Sequence, residues 1–381
     1  MKKDVVGIIC EYNPFHNGHL YHLSKVKEMF PNSLIVLVMS SSFTERGDIS
    51  VLNKWDKTEI ALKYGVDLVI ELPYFFATNS ADYFSNGSIK ILNELKCNYL
   101  VFGSETNDIS KLEKIASIQI NNKEFDNLVK DYIDKGNNYP TSLSLAIKDL
   151  TNEKIDSPND LLGISYIKQI KLLNSNIKPL TIKRTNDYLD KELKDNITSA
   201  TSIREAIKNN VSIEEYVPTL TLNKIINIDY QRYFDLLKYK ILSENDLSKY
   251  LDINEGLDKR IKDNISKAHN LDEFIKLVKT KRYTYNKINR VLLHILTGTT
   301  KDDFIKLNNL TYIRVLGFSK EGQKYLKEVK KGTTVPVITN YHELDDYILD
   351  YELKITKLYN FIINKDELNL IELKSIPIKK Q

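Results

Sequence analysis

Histidine is scarce in this sequence, six in 381 residues, yet His16, His19 and His22 fall within seven positions. They follow the apolar run Val5-Val6-Gly7-Ile8-Ile9 and the turn pair Asn13-Pro14, so His16 and His19 stand where a helix begins. Two imidazoles three apart on a first helical turn project to one side. There they join the unpaired N–H groups and positive dipole end of the helix, which favour an anion. Gly18 between them removes a side chain, leaving backbone that a flat base or ribose can approach. The chemistry this pattern suits is the stabilisation of charge growing on phosphate oxygens. Two rival readings stand beside it: a helix start with surface histidines, and a zinc site from the three histidines. The zinc site lacks an obvious fourth ligand, so no resident metal is expected.

A second cluster, Ile197-Thr198-Ser199-Ala200-Thr201-Ser202-Ile203-Arg204, reads as a helix N-terminus, with Glu205 three residues after Ser202 as in a capping box. The chain holds 47 Lys and only 8 Arg, so an Arg on a first turn marks a place suited to a planar two-pronged donor. Thr201 and Arg204 are therefore candidates for the outer phosphates of a nucleotide, and a simple helix cap is the rival. Smaller candidates are Gly103, where backbone could approach a base, Asn159 at the start of a helix, and Arg184 at the end of a strand. Each has a plain structural reading: turn glycine, cap, surface Arg. The polar loop Ser41 to Gly47 is either part of the site or a connection. Farther on, Lys276, Lys279, Lys281, Arg282, Lys287 and Arg290 occur with no acid from 276 to 290 and with Tyr283 and Tyr285 interleaved. Cations for phosphates beside rings for unstacked bases suit RNA, although a charge run is usually a solvated face. Arg314, Lys320, Lys324, Lys327, Lys330 and Lys331 would extend that surface.

The elements that must position these groups alternate. Strands are expected at 5–9, 34–39, 67–72 and 99–102, with helices at 18–29, 55–64 and 81–95 between them. Fully apolar strands alternating with helices mean a parallel sheet covered on both faces. Ligands then bind beyond the carboxyl ends of the strands, where 13–19, 40–47 and 103–105 would meet. A late strand at 180–184 could return to the sheet. Beyond about 210 the chain becomes Lys-rich and helical, with Val335-Pro336-Val337-Ile338 as the main exception. The fold expected is a doubly wound α/β domain over 1–210 followed by a mainly helical, basic domain over 211–381, the boundary lying near 205–220.

Composition excludes several classes. With 42% hydrophobic and 28% charged residues, 13 Gly and 9 Pro, the chain forms a core and is neither disordered nor collagenous. Two cysteines make no disulfide framework, and no apolar run approaches a bilayer span, so a cytoplasmic protein without a membrane partner is expected. The net charge of +4 is uneven: residues 1–200 hold 24 basic and 26 acidic side chains, residues 201–381 hold 31 and 25. The first half is near neutral and the second suits a polyanion.

The His-x-Gly-His segment resembles the motif of the adenylate-forming nucleotidyltransferases, and the Ser/Thr-rich run ending in Ile203-Arg204 is similar to their second motif. More closely, the chain resembles the bacterial tRNA(Met) cytidine acetate ligases. The likeness is carried by Glu11 to His22, Asp67 to Pro73, Ile91 to Cys97, Phe102 to Glu105, Thr198 to Arg204 and Lys281-Arg282-Tyr283-Thr284, in order over almost the whole chain. It implies a nucleotidyltransferase fold and a two-step reaction: acetate and ATP give acetyl-adenylate, then the N4 amine of the wobble cytidine of elongator tRNA(Met) takes the acetyl group. By the same likeness Ile9, Cys10, Glu11, Tyr12, Asn13, Pro14, Phe15, His16, Asn17, Gly18, His19, Leu20, Tyr21 and His22 would line ATP, completed by Gly103, Asn159 and Arg184. His16 and His19 would be catalytic, and Mg2+ would ride on the triphosphate; no obligate protein partner is evident. One segment departs: where the family reads Gln-Arg-Gly-x-Pro-Ala, this chain has Glu45-Arg46-Gly47-Asp48-Ile49-Ser50. A small-molecule nucleotidyltransferase would explain residues 1–205 but leave the basic half idle. A non-enzymatic RNA-binding protein would leave the histidines unexplained.

Overall fold

The computed structural model describes residues 3–184, 197–254, 256–374 and 376–380. Its centre is one sheet of eight strands: β1 (Val5–Cys10), β2 (Leu34–Ser40), β3 (Leu68–Leu72), β4 (Tyr99–Ser104), β5 (Lys178–Lys183), β6 (Ile313–Phe318), β7 (Val337–Ile338) and β8 (Ile378–Lys379). The order is β5-β4-β1-β2-β3-β6-β7, with β8 also pairing with β6. The first five strands run parallel, and β6 runs antiparallel to β3. β1 and β2 pair from Val5↔Leu34 to Cys10↔Met39, which levels their carboxyl ends. Residues alternate between two apolar layers along them: Val36 and Val38 enter one, Ile35 and Leu37 the other. That double burial is why these strands read as continuous apolar runs.

The helices Asn17–Met29, Lys54–Lys63, Ala81–Glu94 and Pro158–Leu172 connect the parallel strands, and each expected element of the first 105 residues is present within one or two positions. Beyond Ala200 the described chain is mainly helical, but it returns to the sheet. Sequence reading missed β6, because Arg314 and Gly317 interrupt its apolar pattern. Arg314, expected on a basic surface, is instead 1% exposed. Its guanidinium joins Glu71 at 3.2 Å and Glu372 at 2.5 Å, and Lys54 joins the same two carboxylates at 2.6 and 2.9 Å. Nearby, burial and Glu71 push the Glu352 carboxyl up to about 8. Two cations and two carboxylates thus close a neutral cluster between the two halves of the chain, so each buried charge has an opposite partner. Among the described residues, no helix is long and apolar enough to cross a membrane.

Candidate active site

Beyond the carboxyl ends of β1, β2, β4 and β5 lies a cavity of about 950 Å³. Its floor is the start of the helix Asn17–Met29. His16 is the N-cap: its Nδ1 accepts the Gly18 N–H at 3.0 Å, while His19 Nδ1 accepts the His16 N–H at 3.2 Å. This reciprocal capping box, with imidazoles in place of the usual Ser and Glu, brings the ring centroids to 3.9 Å. With both Nδ1 atoms accepting, each neutral ring carries its proton on Nε2. Burial, reinforced by Arg184 and Arg204, pushes His16 down to about 3; burial and the neighbouring histidines hold His19 well below the usual imidazole range. The pair therefore presents neutral N–H donors. Gly18 lines the cavity and also makes room for the His16 ring, from which a Cβ there would lie 2.7 Å.

Three segments are tied over this floor. Asn13 Oδ1 accepts the Val51 N–H at 2.9 Å, and Arg204 donates through Nη1 to the Asn13 carbonyl at 2.8 Å and through Nη2 to Asp48 at 3.2 Å. Glu11 accepts the Glu45 N–H at 2.6 Å. Burial pushes the Glu11 carboxyl up to about 7, against the pull of Arg46 and Lys57. Beneath the loop the fully buried Lys57 ammonium donates to the Ser40 and Ser41 carbonyls at 3.1 and 2.9 Å. On the far side Glu105 receives the Asn159 amide at 2.5 Å and the Asp160 N–H at 3.1 Å, holding the first turn of the helix Pro158–Leu172. The Arg184 stem crosses Gly103, where a Cβ would meet its Cγ at 3.3 Å.

With that geometry in place, comparison with known proteins is specific. Residues 3–372 match the HIGH Nucleotidyl Transferase family. A tRNA(Met) cytidine acetate ligase of Anoxybacillus flavithermus is 40% identical over 379 residues, covering 94% of each chain. One of Clostridium perfringens is 39% identical over 395 residues, covering 96% of this chain and 98% of its own. The chain belongs to this ligase family. Apo Thermotoga maritima TmcAL superposes with a TM-score of 0.90 at 29% identity, and the same protein bound with alpha-thio ATP with 0.87 at 28%, each covering 99% of both chains.

Most of the sequence candidates gather on the cavity. Ile9 to Asn13, His16, Gly18, His19, Tyr21 and His22 line it, as do Gly103, Asn159, Arg184 and Arg204. Pro14, Phe15, Asn17 and Leu20 do not line it: Phe15 is buried and stacked on Tyr64, and the Asn17 amide donates to the Glu215 carbonyl. Thr201 also stays off the cavity wall, its hydroxyl lying 3.4 Å from Arg204 Nη2. The second motif is capped by Ser199, whose Oγ accepts the Ser202 N–H at 3.1 Å, and not by a Ser202–Glu205 box.

The basic segment divides. Lys276, Lys279, Lys281 and Arg282 are exposed and Lys287 is half-buried, with Arg282 and Lys287 reaching the cavity rim. Arg290 does not belong to that stripe. It is 9% exposed and donates through Nη1 to both the Glu45 carbonyl and the Glu45 carboxylate at 3.0 Å. Tyr283, expected to be free for a base, is buried with its hydroxyl on the Asn254 carbonyl at 3.2 Å. The departure at Glu45 thus has a partner inside the chain. Gly47 is held there too: at φ 78° it adopts the left-handed conformation, and a Cβ would lie 2.7 Å from the Arg290 nitrogen. Sequence reading missed the Glu45–Arg290 and Glu105–Asn159 contacts, since no spacing signals a pair 245 or 54 residues apart.

Proposed function

We propose that the protein joins acetate to the N4 amine of the wobble cytidine of elongator tRNA(Met) at the expense of ATP. The observation that carries this reading is that the imidazole pair and the rim cations Arg282 and Lys287 line one cavity. On this reading an adenylation floor and an RNA-facing edge share a single space. In the first step an acetate oxygen attacks the α-phosphorus, the bond to the bridging oxygen breaks, and pyrophosphate leaves. The His16 and His19 Nε2–H groups donate to the phosphate oxygens as their charge grows, with Arg184 and Arg204 supplying the fixed positive charge. In the second step the cytidine N4 attacks the acyl carbon, AMP leaves, and the amine loses a proton. The carbon is already activated, so placement and exclusion of water are what the protein must add.

Mg2+ would supply charge neutralisation on the triphosphate, riding with the nucleotide, while the imidazole and guanidinium groups around the floor suit the anion. The test is purified protein with ATP, labelled acetate and tRNA(Met) transcript. Label is expected in the RNA with AMP released. Transfer of AMP to a small molecule with no label in the RNA would instead mark a small-molecule nucleotidyltransferase.

A further inference from the structure

The cavity extends well past the histidine floor. Between the starts of the helices Ala81–Glu94 and Tyr139–Thr151 on one bank and residues 282–290 on the other lies an arm that no nucleotide-binding motif explains. A cavity of about 950 Å³ is at the top of the range for a single small ligand, so it has room for a second reactant.

The lining of the arm suits a base. Tyr83 is held edge-on to Phe75 and Phe304 at 6.0 and 5.4 Å between centroids, so its ring is fixed. Tyr139 lines the same cavity and is 47% exposed. Burial, with Asp82, Asp126 and Tyr83 nearby, pushes its phenol up to about 12, so it stays neutral. Deeper in, Asn79 is 4% exposed; its Oδ1 accepts the Ser80 N–H at 2.9 Å, and its Nδ2 has no partner among the described residues. The Arg290 Nε is equally without a partner there, although Nη1 is bound to Glu45. Both residues line the cavity, and the helix carrying Arg290 is tied to the segment carrying Asn79 where His294, one turn beyond Arg290, donates through Nε2 to the carbonyl of Thr78 at 3.2 Å. Two buried donors without acceptors are costly until something brings acceptors to them. The Arg290 charge is already balanced by Glu45, which fits a neutral acceptor better than acetate. Cytosine offers two such acceptors, O2 and N3, beside the amine that must stay free to react.

We propose that this arm receives the everted target cytidine, with Tyr139 stacking on the base at the mouth and Asn79, beside Arg290, holding its O2/N3 edge so that N4 faces the acyl group. This rests on the reading of the protein as a tRNA cytidine acetate ligase. It gives the enzyme what base-modifying enzymes need, a pocket for a nucleotide taken out of its stack. Arg282 and Lys287 on the rim then hold the flanking phosphates.

The test separates the base from the rest of the RNA. Anticodon stem-loops carrying cytosine or an abasic site at the wobble position are bound to wild type, Tyr139→Ala and Tyr139→Phe. Wild type and Tyr139→Phe are expected to bind the cytosine form about tenfold more tightly, and Tyr139→Ala to bind the two forms equally. Asn79→Asp keeps the acceptor for Ser80 and removes the donor. It should lower the ratio of acetyl transfer to acetate-dependent pyrophosphate exchange at least about tenfold. A Tyr139→Ala protein that still distinguishes the two RNAs overturns the proposal, as does a wild type that never did. So does a loss of exchange matching the loss of transfer in Asn79→Asp, which would assign the arm to ATP or acetate. Absence of acetate-dependent exchange in wild type would instead count against the reaction itself, leaving the base-binding comparison to stand or fall separately.

Discussion

His16 Nδ1 caps the helix, and in the proposed reaction its Nε2 would donate to the phosphate. The two can be parted. Asn is among the best N-cap residues, so His16→Asn should keep urea stability within about 0.5 kcal/mol of wild type, whereas His16→Ala should lose about 1 kcal/mol. Both should reduce acetate-dependent pyrophosphate exchange by about 100-fold or more, the usual consequence of removing one donor aimed at developing charge. Exchange surviving in His16→Asn would show that the cap, not the donor, is what the reaction requires. Acid stability belongs to single side chains too. Burial and Arg290 push His294 down to about 4, while its unfolded value is near 6.5. Between those values the unfolded chain takes up a proton that the folded site refuses, so stability is full above pH 6.5 and falls as pH drops towards 4. Glu11 and Glu352, with raised values, act in the opposite sense: their contribution is complete at low pH and is lost as pH rises through 7 and 8. The histidine share is therefore read from the difference between wild type and His294→Gln. Urea midpoints at pH 6.5 and 5 should draw closer in the variant.

The loop between β2 and the helix Lys54–Lys63 is held by contacts arriving from elsewhere: Glu11 on its Glu45 N–H, Arg204 on Asp48, and Arg290 on Glu45. Glu45→Gln leaves Arg290 its bond to the residue-45 carbonyl. Stability should change by less than about 1 kcal/mol. Arg290→Ala removes both bonds and strands a partly buried carboxylate, so a larger loss, about 3 kcal/mol, is expected in urea unfolding. The segment 276–290 gives a contrasting prediction. Arg282→Ser should flatten the dependence of log affinity for tRNA on log salt by about 0.7–0.9. Arg290→Lys, altering a buried side chain, should leave that slope unchanged. Equal slopes for wild type and Arg282→Ser would remove Arg282 from the phosphate contacts.

The molecule as a whole is locked by the cluster of Lys54, Glu71, Arg314 and Glu372, which joins the helix Lys54–Lys63, β3, β6 and the helix Leu368–Lys374. Because the four charges balance, losing one carboxylate leaves a buried cation short of a partner. Glu372→Gln should therefore cost about 3–5 kcal/mol of unfolding free energy. The same cluster explains why residues 211–381 are not simply appended to the first 210: β6 extends the sheet at β3, and Glu372 accepts from Lys54. The turn and helix start that supply Arg282 and Lys287 to the cavity rim are thereby built onto the same sheet as the histidines.

The parallel strands, the connecting helices and the histidine floor were legible in the sequence, because each rests on local patterning: apolar runs bounded by turn residues, and imidazoles three apart at a helix start. Charge was misleading wherever its partner was distant. Arg290 and Arg314 looked like surface cations, and only their approach to Glu45, and to Glu71 and Glu372, made them buried structural groups. The same limit hid β6, whose Arg314 breaks an apolar pattern that the fold completes with carboxylates from 243 and 58 residues away. It also hid Asn79 and Tyr139, ordinary residues in the sequence, which become cavity walls only when two helix starts face the segment 282–290. Sequence spacing governs contacts along one element. Which elements face each other, and so which charges are paired and which donors are left waiting, is set by the packing of the whole sheet.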